Sequence, residues 1–258
     1  MSSVNRSKDV ARTSGSLRSR RQGRFHTRKR PFVVATFAIT VDGKVTTKNF
    51  GPVDFTSRED KLHLFRQRAL ADAVLIGHTS LERDNVRLGL PADLQELRSK
   101  RGQSRSPIRV IISNKGRIDE RLKIFQSDIS PIIVFSTKRM PQKNQKALQT
   151  KATLHLTDAK HVDLAVMLKT LRNQYKIGTL ACEGGPTLFR ALLEEDLIDQ
   201  LNLTIAPHMF GGATAPTLTG LNNKFLPASI HCSLINMRTI ENECFLIYRI
   251  KHQRGRRN

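Results

Sequence analysis

Short apolar runs rich in β-branched residues recur along the chain: PFVVATFAIT (31–40), AVLIG (73–77), IRVIISN (108–114), SPIIVFST (130–137), ATLHLT (152–157) and ECFLIYRIK (243–251). Continuous runs of this length read as strands buried on both faces. Stretches with helical spacing lie between them. Thr56-Ser57 with Glu59 has the form of a helix start, a hydroxyl cap followed by an acid in the first turn. That helix is expected to run to about Leu70 with Leu62, Phe65 and Ala69 inward. A short helix fits 91–100, and 161–174 places Val162, Leu164, Ala165, Leu168 and Leu171 on one face. VDGK (41–44) is a tight turn, Val45–Thr47 a short strand, NFGPVDF (49–55) a loop, and LIDQLNLTIAPHMFGG (197–212) a strand with a Gly-Gly turn. Strands alternating with helices predict a single α/β domain over 31–251, with a mostly parallel sheet covered on both faces and a late antiparallel edge.

Chemistry concentrates at two places where an apolar strand runs straight into a helix. In GTLACEGGPTLFRALLE (178–194) a strand ends at Cys182, and Glu183 and Gly184-Gly185 follow. Pro186-Thr187 then opens a helix with Leu188, Phe189, Leu192 and Leu193 on its apolar face. Proline costs nothing in a first helical turn, where its missing N–H has no partner. Glycines admit a close backbone approach, and the free N–H groups of a helix start favour an anion. Glu183 thus stands at the carboxyl end of a strand beside a phosphate cradle, where open α/β sheets bind ligands. A plain turn is the competing reading of the two glycines. At the second join, Gly77-His78-Thr79-Ser80 offers another glycine, two hydroxyls and a helix start, although a hydroxyl there often serves only as a cap. His78 reads as a surface turn residue rather than a base.

Composition narrows the partners. The 258 residues allow one large domain, and no run of eighteen apolar residues or charged-then-apolar leader occurs. Cys182, Cys232 and Cys244 form no CxxC pair and leave one over, which fits a reducing, cytoplasmic setting. The histidines show no metal-ligand spacing, so no metal is expected. The formal charge of +22 is uneven: residues 1–30 carry ten Lys/Arg against Asp9, and residues 251–258 carry Lys251, Arg254, Arg256 and Arg257. Residues 1–30 read as a disordered basic tail and 252–258 as a second one. A solvated tail, a polyanion contact and an organelle transit peptide are all open for the first, the last disfavoured by the lack of an apolar face.

With these motifs in order, the chain resembles the reductase domain of riboflavin biosynthesis, the RibD C-terminal family of dihydrofolate reductase-like fold. The resemblance rests on FAITVDGK (37–44), TSREDKLHLFRQRALADAVLIGHTSLERDN (56–85), CEGGPTLFRALLEEDLIDQLNLTIAP (182–207) and FGG (210–212). It implies a three-layer fold, NADPH as cofactor, a phosphorylated pyrimidine as substrate and a homodimer. Glu183 would bind the sugar hydroxyls, and Arg68 (or Arg66, two residues away) the substrate phosphate. Arg87 and Leu88 would border the substrate. Gly184, Gly185, Pro186 and Thr187 would hold the cofactor pyrophosphate. Ala38, Asp42, Gly77, Thr79, Asp84, Ser113 and Lys115 would complete the cofactor site, with Arg117 beside Lys115 near the adenosine 2′-phosphate. The chain departs from the family at Asp84-Asn85-Val86-Arg87-Leu88, where the acidic pair stands one position late relative to Thr79 and Val86 replaces a proline.

The implied activity is that of a 5-amino-6-(5-phosphoribosylamino)uracil reductase, with the ribose reduced to a ribityl chain. No H-x-E…P-C-x-x-C zinc motif of a deaminase is present. No His or Tyr is placed as a general acid. Two other readings stand beside this one: a reductase of another pterin or pyrimidine, and a non-catalytic polyanion-binding protein with a vestigial cofactor site.

Overall fold

The computed structural model describes residues 28–46, 55–220 and 225–252. The strands are β1 (Phe32–Thr40), β2 (Ala73–Gly77), β3 (Ile108–Ser113), β4 (Ile132–Thr137), β5 (Thr153–Thr157), β6 (Thr179–Cys182), β7 (Gln200–Ala206), β8 (Cys232–Ile240) and β9 (Glu243–Ile250). The helices are α1 (Arg58–Leu70), α2 (His78–Asp84), α3 (Ala92–Ser99), α4 (Gln142–Gln149), α5 (Leu164–Asn173) and α6 (Pro186–Glu194), with a 3-10 turn at Lys123–Gln126. One sheet joins the strands in the order β5-β4-β3-β2-β6-β1-β7-β9-β8. Every pairing from β5 to β7 is parallel, and β9 pairs antiparallel with both β7 and β8. The expected mostly parallel sheet with an antiparallel C-terminal edge is therefore present.

The sheet is covered on both faces because its central strands are apolar on both. Val33, Ala35, Leu75, Val110, Leu180 and Cys182 pack with Leu164, Met167, Leu168 and Leu171 of α5 and with Phe189 and Leu192 of α6. On the other face Val74, Ile76, Ile111, Val134 and Ala181 pack with Leu81 of α2, Leu148 of α4 and the turn residues Leu122 and Ile124. Burial at about 25 cal/mol per Å² of apolar surface makes these two clusters the main source of stability.

The differences from expectation have physical causes. Helix α1 is capped by Ser57, whose side chain accepts from the N–H groups of Glu59 and Asp60, an arrangement worth about 1 kcal/mol. Its buried positions are His63, Arg68 and Ala69, while Leu62 and Phe65 are only half-buried, because α1 lies on a polar part of the sheet. Val45 and Thr46 are buried in a bend rather than a strand, and Thr47 and most of the 49–55 loop lie outside the described residues. Helix α5 begins at Leu164, capped by Asp163, so Val162 precedes it. Helix α4 went unpredicted because its only buried residue is Leu148. Strand β8 did too: it is mostly exposed and lacks a buried run. Arg28–Arg30 and His252, assigned by sequence to the tails, are held to the body through Asp199. No helix among the described residues is long and apolar enough to cross a membrane.

Candidate functional site

Strand β6 is short. Cys182 pairs with Ala35 on one side and Leu75 on the other, and the Glu183 N–H still donates to the Leu75 carbonyl at 2.9 Å. Burial pushes the Cys182 thiol up to about 12, so it is an inert core group. Because side chains alternate along a strand, Glu183 faces away from Cys182 and toward α1. There it meets Arg68: Nε donates to Glu183 Oε1 at 2.9 Å and an Nη to Oε2 at 2.6 Å. Both side chains are over nine-tenths buried. Burial alone would lower the Arg68 pKa; the charge and hydrogen bonds of Glu183 outweigh it and keep the guanidinium charged. The other Nη donates to the Gly89 carbonyl at 2.6 Å. The family resemblance implies separate tasks for Glu183 and Arg68; in the structure they hold one another, and Arg68 also anchors the loop after α2. Each Glu183 oxygen accepts once from Arg68 and retains capacity for one further bond.

The two helix starts stand on neighbouring strands. Gly77 caps α2 and Gly185 caps α6, neither with a side-chain cap. A Cβ on Gly185 would lie 2.5 Å from Ser80 Oγ, and one on Gly184 would lie 2.5 Å from Leu188 Cδ2. Gly185 therefore allows the two helix starts to pack against each other, and Gly184 makes room for Leu188 of its own helix. Thr79 and Thr187 present exposed side chains there. Two uncapped first turns with neighbouring hydroxyls fit the pyrophosphate of a dinucleotide. His78 is half-buried rather than a free surface residue. Its Nδ1 lies 3.3 Å from Ser113 Oγ, and its Nε2 approaches Glu82 Oε1 to 2.9 Å without the alignment of a hydrogen bond.

The remaining sequence candidates divide. Lys115 and Arg117 are exposed at the carboxyl end of β3, where Gly116 turns the chain at φ +62°. Ser113 is spent on that turn, its Oγ accepting from the Gly116 N–H at 3.0 Å. Asp42 is a clamp: Thr40 Oγ1 and the N–H groups of Phe210 and Gly211 donate to its carboxylate. The Thr40 bond foremost, with these backbone bonds, holds its pKa down against a smaller desolvation effect. Ala38 is half-buried in β1 and pairs with Thr204. Burial raises the Asp84 pKa, with Arg83 at 3.3 Å opposing. Arg87 is exposed. Leu88, at φ +57°, is 2% exposed and packs in the second core cluster, so its side chain serves the core.

Sequence reasoning missed the polar floor beneath α1. Thr36 stands one residue past the Ala35–Cys182 pairing and directly opposite Asn202 on β7. Glu183, Thr36 and Asn202 thus form one row across three strands, on the face that carries α1. Thr36 Oγ1 and Asn202 Nδ2 are buried with no partner. Asp60 continues the row toward Thr204: burial raises its pKa, and hydrogen bonds to Thr204 and Thr56 oppose the rise. Glu243 accepts from the Ser57 N–H at 2.8 Å and from its hydroxyl. His63, packed on Phe245, is driven by burial and by Arg238 to a pKa of about 4 and is neutral at physiological pH. The alternation QLNLT was the available signal, but a polar face every second residue ordinarily means solvent.

Comparison with known proteins agrees with this geometry. The pattern of the family described as RibD C-terminal domain matches residues 31–246. The chain is 26% identical over 190 residues to a 2,5-diamino-6-ribosylamino-4(3H)-pyrimidinone 5′-phosphate reductase of Archaeoglobus fulgidus, covering 73% of this chain and 86% of that one. A protein of the same name from Methanothermobacter thermautotrophicus is 26% identical over 223 residues, covering 86% and 99%. Among solved structures, a pyrimidine reductase-like protein from Corynebacterium diphtheriae superposes with a TM-score of 0.76 at 21% identity, covering 86% of this chain and 93% of that one.

Proposed function

The chain belongs to the RibD C-terminal domain family, and on that footing we propose that it is an NADPH-dependent oxidoreductase that reduces the ribose of a phosphoribosylamino-pyrimidine to a ribityl chain. The observation that carries this reading is the buried Arg68–Glu183 pair set beside two uncapped helix starts. NADPH, when bound, supplies the hydride. The chain's own part is to bind, orient and exclude water. The N–H groups of the α6 start, with Thr79 and Thr187, receive the pyrophosphate, and Lys115 and Arg117 meet the 2′-phosphate. Glu183 uses its remaining acceptor capacity on the sugar hydroxyls. Arg68 orients Glu183 and, through Gly89, the loop that presents Arg87 to the substrate phosphate.

Of the two pyrimidine forms we assign the 2,5-diamino form rather than the uracil. Support comes from the archaeal relatives named for it, matched over 86% and 99% of their length. The test is NADPH oxidation with each form in turn. Oxidation with the diamino form at the higher kcat/KM is expected; turnover of the uracil form alone reverses the substrate assignment, and no oxidation with either ends the reductase reading. A homodimer is part of the proposal, supported by Leu234, Ile235 and Met237, all more than half exposed on the edge strand β8. Sedimentation of the purified chain as a monomer would remove that part.

A further inference from the structure

The polar floor beneath α1 holds a donor and acceptors that the fold leaves over. Asn202 is fully buried on β7, and its Oδ1 accepts from Gln200 Nε2 at 2.9 Å. That bond fixes which end of the amide is left: Nδ2 is a buried donor with no partner. Asp60 reaches the same strand from α1, and its carboxylate accepts from the hydroxyl of Thr204, two residues past Asn202, and from that of Thr56. An ionised carboxylate offers about four acceptor positions, so about two remain on Asp60 among the described residues. Residues two apart on a strand share a face, about 7 Å from one another. One donor and a pair of acceptors therefore line one face of β7.

An unpaired amide donor is costly to bury. A strand that needed only to be covered would carry an apolar residue at that position, as Leu201 does on the opposite face. Thr36, opposite Asn202 on β1, repeats the pattern with a buried Oγ1 that has no partner. Glu183 follows on β6 with acceptor capacity left. Neighbouring strands are about 4.8 Å apart, so the row from Glu183 to Asn202 is about 10 Å long, the reach of a ring joined to a sugar rather than of a sugar alone. Resting on the pyrimidine reductase reading, we propose that Asn202 and Asp60 bind the pyrimidine ring and that Asp60 selects the 2-amino form over the 2-oxo form. One edge of the diamino ring carries the C4 carbonyl, the N3–H and the 2-amino group, an acceptor followed by two donors. Asn202 Nδ2 matches the carbonyl, and the open positions of Asp60 match the N3–H and the 2-amino group. In the uracil form the last of the three is a second carbonyl, which meets a carboxylate oxygen with no proton between them. Glu183 keeps the sugar, and Thr36 lies beneath the bond that joins sugar to ring.

The test uses the bare rings, 2,5,6-triamino-4(3H)-pyrimidinone and 5,6-diaminouracil, titrated by calorimetry into the full chain without NADPH. The wild-type chain is expected to bind the triamino ring about tenfold more tightly. Asp60→Asn puts a donor in place of one acceptor, so it should reverse the preference and change the ratio about a hundredfold. A purely structural Asp60 would alter stability without reversing that ratio. Asn202→Leu should weaken both rings about tenfold alike, because both carry the C4 carbonyl. Its Tm should hold or rise, since the replaced amide leaves a buried donor unpaired. Equal binding of the two rings by the wild-type chain, or a preference that survives Asp60→Asn, overturns the selection by Asp60. A lowered Tm in Asn202→Leu with both affinities intact overturns Asn202 as a ring contact. Failure of the wild-type chain to bind either ring overturns the floor as the ring site. No turnover enters the titration, so ring binding and NADPH oxidation can each fail alone.

Discussion

Glu183 and Asp199 are both buried carboxylates held by arginine, at opposite edges of the same sheet. Asp199, with a side chain 2% exposed, is met by Arg28, Arg30, His252 and the Val33 N–H at 2.8 Å. An ionised carboxylate offers about four acceptor positions, so its own chain uses all of them. Glu183 is met by Arg68 alone, through two bonds, and no backbone donor reaches its carboxylate among the described residues. One carboxylate is saturated by the fold; the other is fixed in direction yet left half-used. Burial and charge pairing look alike at the two positions. The count of unfilled acceptor positions separates the structural acid from the one that can serve a ligand.

The largest effect should follow from Asp199→Asn. Burial alone would raise the pKa of Asp199; hydrogen bonds from His252, the charge and hydrogen bond of Arg30, and the Val33 N–H hold it far below the usual carboxylate range. Removing one partner of a buried pair costs about 3–5 kcal/mol. Arg28 and Arg30 are partly in water, with side chains 38% and 20% exposed, so screening reduces the expected loss to about 2–3 kcal/mol. A fall in Tm of about 5–10 °C should appear in a thermal scan. An unchanged Tm would mean that this clasp around Asp199 contributes nothing and that the two carboxylates do not differ as argued.

Glu183→Gln should act on turnover instead. Gln keeps the shape but turns one acceptor into a donor facing a guanidinium, so kcat/KM is expected to fall about ten- to a hundredfold. NADPH affinity, read by fluorescence, should hold. The sharper version is the double replacement Arg68→Met with Glu183→Met. Apolar residues of similar volume often replace a buried pair without loss of stability, so this chain should melt near the wild-type temperature and remain inactive. A double variant that unfolds would put Glu183 in the same structural class as Asp199.

The contrast also explains what was legible in the sequence. Glu183, Gly185 and the two helix starts were visible because glycine, proline and an acid at a strand end leave a local pattern. So were the strands of the parallel region, since burial on both faces leaves an unbroken apolar run in AVLIG or PIIVFST. Asp199 left no local mark: its partners are 51 to 171 positions away in the chain. The Arg68–Glu183 contact spans 115 positions and was equally silent, although both residues were singled out. The floor formed by Thr36, Asn202 and Thr204 went unread: Thr36 lies inside an apolar run, and the alternation around Asn202 and Thr204 ordinarily marks a face in water rather than one covered by a polar helix.

A third effect tests the open edge away from Glu183. Lys115→Ala with Arg117→Ala removes two exposed cations at the end of β3, neither of which is part of the clasp. NADPH should weaken about tenfold, from the loss of one or two charge-assisted contacts to phosphate, and NADH much less. Equal losses for both cofactors, in paired titrations, would remove the 2′-phosphate assignment while leaving Glu183 untouched.

The smallest effect concerns pH and singles out the clasp. Hydrogen bonding to Asp199 foremost, against a desolvation effect that lowers it, and then bonding to Asp196 raise the His252 pKa above its ordinary value. A raised folded pKa means that the His252 contribution is fully present below about pH 6.5 and is lost as pH climbs through the folded value. The depressed Asp199 works in the other direction: its contribution is present above about pH 3.9 and lost as pH falls toward its folded value. Both are therefore in place between about pH 4 and 6.5, the interval in which the clasp is strongest. His252 is more than a third exposed, so screening should hold the change to about one or two degrees of Tm between pH 6 and 8.5. His252→Gln should remove that part of the slope and leave the rest of the pH profile in place. Arg68 stays charged throughout this range. A His252→Gln chain whose Tm follows the wild-type curve at every pH would show that the imidazole is a bystander, with the arginines alone closing Asp199.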